Sequence, residues 1–139
     1  MVRPAVLYKK VDHIRKNLDR VKTRHGLSVD DFKADLDSQD VVLHNLQLAI
    51  QGCIDLGNHI ISDEEWGVAG SFGDLFHILR ERGVIAPPLA ERMISAVGFR
   101  NILVHEYEEV DLNIAYDVYT KRLGDIEEFL RSVLEFFRL

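Results

Sequence analysis

The sequence predicts an all-α protein, an antiparallel bundle of four to five helices in a single domain over residues 1–139. Three observations carry this expectation. Apolar residues recur at steps of three and four through most of the chain, the period of a helix with one buried face. No segment shows the two-residue alternation of a half-buried strand. Glycines and prolines that stop or start helices divide the chain into pieces of helical length joined by short links. A composition of 47% hydrophobic and 29% charged residues, with three prolines, suits a folded helical domain rather than a disordered or fibrous chain.

The first helix is expected over about 4–24, where Val6, Leu7, Val11, Ile14, Leu18 and Val21 share one side and Gly26 provides the stop. "SVDD" from Ser28 is a capping start for a short turn around Phe32 and Leu36. A long second helix, about 38–61, aligns Val42, Leu46, Ile50, Cys53, Ile54, Gly57 and Ile61. Its glycines, Gly52 and Gly57, each cost about 1 kcal/mol of helix propensity relative to Ala, which close approach of a neighbouring helix would justify. "SDEEWGVAGSFG" reads as a solvated loop. A short third helix, about 71–82, turns Phe72, Leu75, Phe76 and Leu79 inward and stops at Gly83. Pro87 and Pro88 open a fourth helix that runs to about Val104, with Leu89, Met93, Ala96, Phe99, Ile102 and Leu103 inward. One long terminal helix from Asp111 carries Leu112, Ala115, Tyr119, Leu123, Ile126, Leu130, Val133 and Phe137.

Charge is unevenly spread. The formal net charge is -6, yet residues 1–24 hold eight Lys or Arg against only Asp12 and Asp19. The first helix is thus the basic element of an acidic protein, able to attract polyanions locally, to be solvated, or to pair with acids elsewhere in the fold. The opening stretch "MVRPAVLYKKVDHIRKNLDR" is charged throughout, unlike a signal peptide, and no run approaches the roughly 18 apolar residues of a membrane span. A cytoplasmic protein without membrane contact is expected. One cysteine, Cys53, excludes an intramolecular disulfide and a cysteine-based zinc site, which fits a reducing compartment.

The stretch "RNILVHEYEEV", Arg100 to Val110, departs from ordinary helix surface. At about 100° per residue Arg100, Asn101, Val104 and His105 share the arc away from the core, with Asn101 and His105 on one side and Arg100 about 140° from His105. Such a set can line a cleft, but something opposite must complete it. The residue types suit a phosphodiester. A neutral imidazole can take a proton from a ribose 2′-hydroxyl or give one to a leaving 5′-oxygen. A guanidinium offers a fork of donors to phosphate oxygens as charge builds at phosphorus. Strand cleavage calls for both an acid and a base, and two copies across a twofold axis would supply two imidazoles to one cleft. A histidine at a helix end equally serves as a partner of the helix dipole.

The spacing Arg100, His105, Tyr107 in "RNILVHEY", with its "GFRN" lead-in, resembles the active-site motif of the HEPN superfamily, and the chain is similar to the HepT toxins of the DUF86 type. The similarity extends through "LQLAIQGCIDLGNHII", "FGDLFHILRERGVI" and "LAERMISAVGFRNILVHEYEEVD". The resemblance implies an HEPN-like helical homodimer that acts without metal or other cofactor as an endoribonuclease, the toxin of a type VII toxin–antitoxin system cutting tRNA or mRNA. Arg100 and His105 would be catalytic and Asn101 and Tyr107 supporting. It also implies a minimal nucleotidyltransferase antitoxin, MntA-like, that adds AMP to Tyr107. A rival from another class is a non-catalytic HEPN adaptor that binds nucleotide or docks such a nucleotidyltransferase.

Other pairings carry less. Asp55 with His59 and Asp74 with His77 have bundle-ligand spacing, but a di-iron bundle requires Glu-x-x-His pairs and further inward Glu residues that this chain lacks. His13, His25 and His44 read as surface residues and Cys53 as a small core residue.

Overall fold

The computed structural model describes all of residues 1–139 and contains helices and no strand. The helices are α1 (Pro4–Lys22), α2 (Val29–Ala34), α3 (Leu36–Asp63), α4 (Phe72–Glu81), α5 (Pro87–His105), α6 (Leu112–Lys121) and α7 (Leu123–Phe136), with a 3-10 turn at Tyr107–Glu109. Local chemistry sets most starts. Pro4 and Pro87 open α1 and α5, and the side chains of Ser28, Asp35, Ser71 and Asp111 accept from the otherwise unpaired N–H groups that begin α2, α3, α4 and α6. No helix is long and apolar enough to cross a membrane.

The 28-residue α3 is the axis of the bundle. α1 runs antiparallel to it: the Val2 N–H donates to Glu64 Oε1 at 3.2 Å at one end, while Ile14 meets Gly52 at mid-helix. A Cβ at Gly52 would stand 2.6 Å from Ile14 Cγ1, and one at Gly57 would stand 2.6 Å from Leu75 Cδ2 of α4. Both glycines therefore sit where α1 and α4 press closest to α3, which is why a costly residue type occupies a helix interior. Thirty-five buried apolar residues form one cluster through all seven helices. Within it Phe76 meets Phe129 edge to face at 5.7 Å, and Arg92 of α5 ties down α7 through Asp125 at 2.8 Å and Glu128 at 3.1 Å.

Four expectations need correction. The terminal helix is two helices, because the chain bends at Arg122 between α6 and α7. α6 turns aside to pack on α2, where Phe32 contacts the rings of Tyr116 and Tyr119 at 6.0 and 5.0 Å, while α7 follows α3 and α5. The apolar period runs unbroken across the bend, so the pattern alone could not reveal it. Leu36 belongs to the first turn of α3 and is exposed rather than part of the short turn before it. Trp66 is held by an edge contact to Phe136 at 6.0 Å and by the Arg82 guanidinium 5.4 Å from its ring centre, so its loop is anchored rather than merely solvated. Ile102 and Phe72, expected inward, are exposed.

Candidate active site

The last two turns of α5 pack on one side only, through Phe99 and Leu103. Leu103 is buried there, but Asn101, Ile102, Val104 and His105 are exposed and Arg100 is half-buried. The helix stops at Glu106, whose φ of -135° and ψ of 38° leave the helical region. The 3-10 turn then folds Tyr107 back towards α3, and Asp111 caps α6. The motif thus occupies a helix end followed by a tight reversal.

Two small groupings result. Arg100 Nη1 donates to Asn101 Oδ1 at 3.0 Å, and its guanidinium carbon lies 5.5 Å from the ring centre of Phe72, at the start of α4. Nη1 makes the one hydrogen bond of this guanidinium within the chain and Nε is buried without an acceptor, so the group is only partly satisfied and Nη2 retains its donors for an oxyanion. On the other side, the Tyr107 hydroxyl donates to Asp40 Oδ1 at 3.2 Å, bridging to the beginning of α3. Burial, then the charge of Asp40 and this hydrogen bond, raise the phenol pKa above its ordinary value of 10.0. His105, at the final residue of α5, belongs to neither grouping and faces solvent.

The expected residues are therefore neighbours in space without forming one closed cluster. Arg100 leans towards α4, while His105 is exposed and shares no contact with it. Two neighbours of these residues were not anticipated. Asp40 reads in "SQDVV" as an ordinary acid of a first helical turn, and Phe72 as one more core residue. Their contacts come from α3 and α4 being packed beside α5, and no local signal marks them. A groove of about 590 Å³ beside Arg100 is lined by Asn58, Gly70, Phe72, Ile94, Gly98 and Asn101, among others.

The surroundings are acidic. Arg100 is the only Lys or Arg between Arg92 and Lys121, a segment that includes Glu106, Glu108, Glu109, Asp111 and Asp117. The carboxylates of the pairs that imitate metal ligands are engaged elsewhere: Asp55 accepts from Gln51 and Asp74 accepts from the Gly70 N–H at the start of α4, while His59 stands 3.2 Å from Asp63. His13 and His44 are exposed, and the exposed His25 places Nε2 3.3 Å from the Tyr119 carbonyl oxygen.

The family described as ribonuclease HepT-like matches residues 14–133. The mRNA nuclease HepT of Shewanella oneidensis is 34% identical over 125 residues, covering 90% of this chain and 93% of that protein. The tRNA nuclease HepT of Aphanizomenon flos-aquae is 27% identical over 132 residues, covering 95% and 90%. Among solved structures, the tri-AMPylated HEPN toxin of Shewanella oneidensis in complex with its MNT antitoxin superimposes with a TM-score of 0.87 at 32% identity, over 96% of this chain and 99% of that one. The cytosolic protein YutE of Bacillus subtilis shares the fold, with a TM-score of 0.84 at 16% identity over 99% of this chain and 92% of that one.

Proposed function

The chain belongs to the HepT-like ribonuclease family, and from that membership we propose that it is a metal-independent endoribonuclease of the cytoplasm, the toxin of a type VII toxin–antitoxin pair. The observation that carries this reading is the exposed end of α5, where a partly satisfied guanidinium and an unengaged imidazole flank Asn101. In the proposed reaction the His105 imidazole accepts the proton of a ribose 2′-hydroxyl as that oxygen attacks the neighbouring phosphorus. The bond from phosphorus to the 5′-oxygen breaks, and a protonated imidazole returns a proton to the departing oxygen. Arg100 binds the non-bridging oxygens as their charge grows, and Asn101 orients the guanidinium.

One imidazole cannot be base and acid in the same instant, so the reading includes a homodimer whose two copies of α5 face each other. The exposure of Ile102 (44%), Val104 (37%) and Ile114 (56%) around the motif supports it, since these are apolar side chains that such a contact would cover.

Regulation follows the tri-AMPylated state of the Shewanella oneidensis relative. A minimal nucleotidyltransferase of the MntA type would transfer AMP to Tyr107. The phenol oxygen bonds to the α-phosphorus of ATP, the bond to pyrophosphate breaks, and the phenol proton is lost. The bulky anionic adduct would block the cleft and repel RNA phosphates.

The test is RNA turnover by purified protein in the presence of EDTA. Wild type should cut, and His105→Ala and Arg100→Ala should each lose about 10²–10⁴-fold in rate. Undiminished cleavage by either variant removes that residue from catalysis, and an inert wild type refutes the activity.

A further inference from the structure

The acidic surroundings of the site pose a physical problem for a nuclease, because Arg100 alone cannot attract a polyanion past Glu106, Glu108 and Glu109. The answering cations lie on α1. At about 100° per residue, Lys9, Lys16 and Arg20 fall with His13 within an arc of about 60°, and Asn17 and Lys10 lie about 40° and 60° beyond His13. The acids Asp12 and Asp19 border the arc on its other side, about 40° and 60° beyond Lys16. Lys9, Lys16 and Arg20 are exposed and Lys10 is half-buried. Of the ion pairs in the chain, only Arg15 with Glu127 at 3.5 Å uses a cation of α1, so none of these four is neutralised by a carboxylate.

The stripe overlooks a concavity. Between α1 and α3 runs an open groove of about 800 Å³, with Lys9, Lys10, His13 and Asn17 on one wall and Leu48 and Gln51 on the other. Asp55, the one carboxylate in its lining, accepts a hydrogen bond from Gln51. The α3 wall continues in four-residue steps through exposed Leu48, His44 and Asp40, and Asp40 holds the Tyr107 hydroxyl. From Gly52, opposite Ile14, to Asp40 is twelve residues, about 18 Å of helix. The groove ends at Leu48, and exposed α3 residues continue from there towards the motif, turning about 80° around the helix by Asp40; the stripe from Lys9 to Arg20 adds about 16 Å of cationic edge.

We propose that the α1–α3 groove is a docking track for the single-stranded RNA that flanks the scissile phosphate, with backbone phosphates lying along Lys9, Lys10, Lys16 and Arg20. This rests on the ribonuclease reading. Single-strand binding of this kind combines a cationic edge with sequence-tolerant contacts to bases, for which the exposed Leu48 offers an apolar floor.

The test uses the full chain carrying His105→Ala, so that RNA is not consumed, and a fluorescent oligouridylate of about 12 nucleotides. One variant changes Lys9, Lys10, Lys16 and Arg20 to Gln. A control changes Lys22, Lys33, Lys121 and Arg131, exposed cations off the groove, and alters net charge equally. The stripe variant should bind about tenfold or more weakly at low salt. Its log–log salt slope should be shallower by up to about 2.8, near 0.7 for each cation that meets a phosphate. The control should bind nearly as its parent does. Equal losses in the two variants, or none in the stripe variant, would overturn the track. Normal RNA binding by the stripe variant with lost antitoxin association would also overturn it and assign the stripe to a protein contact. Salt-dependent binding through the stripe beside a wild type that leaves RNA uncut would support the track while refuting the nuclease reading.

Discussion

Replacing Gly52 with Ala tests one of the two close helix contacts of α3. The new Cβ would lie 2.6 Å from Ile14 Cγ1 and 3.2 Å from Cδ1, and Cγ1 is too near the α1 backbone to swing aside freely. Overpacking of this kind costs about 1–3 kcal/mol, against which Ala returns about 1 kcal/mol of helix propensity. The single variant should therefore lose about 1 kcal/mol. Ile14→Ala empties a fully buried site and should lose about 3 kcal/mol. In the double variant the clash is gone while the propensity gain remains, so the loss should fall to about 2 kcal/mol. Two independent changes would cost about 4 kcal/mol, which makes the coupling about 2 kcal/mol in the compensating direction. Urea unfolding at one fixed protein concentration, with m-values compared, measures this directly. Losses that add to within about 0.5 kcal/mol would refute the claim that Gly52 is there to admit Ile14.

Three further outcomes follow from single contacts. Asp40→Asn removes a negative charge beside Tyr107, so the phenol, now held above 10.0, should ionise at lower pH in an ultraviolet difference titration against wild type. An unmoved titration curve would separate the two groups; the sign is set because both burial and the carboxylate disfavour phenolate. Burial likewise raises the Cys53 thiol well above its ordinary value, so it should resist iodoacetamide in the folded protein and react once urea unfolds the chain. Rapid native labelling would contradict the packing of α3. Arg92→Ala cuts both ties from α5 to α7 and leaves the mostly buried Asp125 without its 2.8 Å partner, so the unfolding free energy should drop by about 1–2 kcal/mol. A change below about 0.3 kcal/mol would mean that solvent replaces the pair at no cost.

Much of this protein is readable along the chain because its determinants are local. The helical period, the Ser and Asp caps and the prolines of α1 and α5 act within a turn or two, so the elements follow from residues close together in sequence. The central motif is legible for the same reason: Arg100, Asn101, His105 and Tyr107 fall within eight positions. Helical phase alone also separates Arg100 from His105. What one dimension could not convey is which distant groups meet the motif. Asp40 reaches Tyr107 from 67 residues away, and Phe72 reaches Arg100 from α4, because three helices are packed side by side. Ile102 illustrates the same limit from the other direction. Its phase marks it as apolar and inward, but phase records only that a side chain avoids water, not whether its own core or another molecule covers it. The bend at Arg122 was hidden because bending two helices around one core preserves their apolar period. Short-range physics wrote the helices and the motif into the residue order, whereas the partners of the site and its exposed apolar rim arise only when α3, α4 and α5 come together.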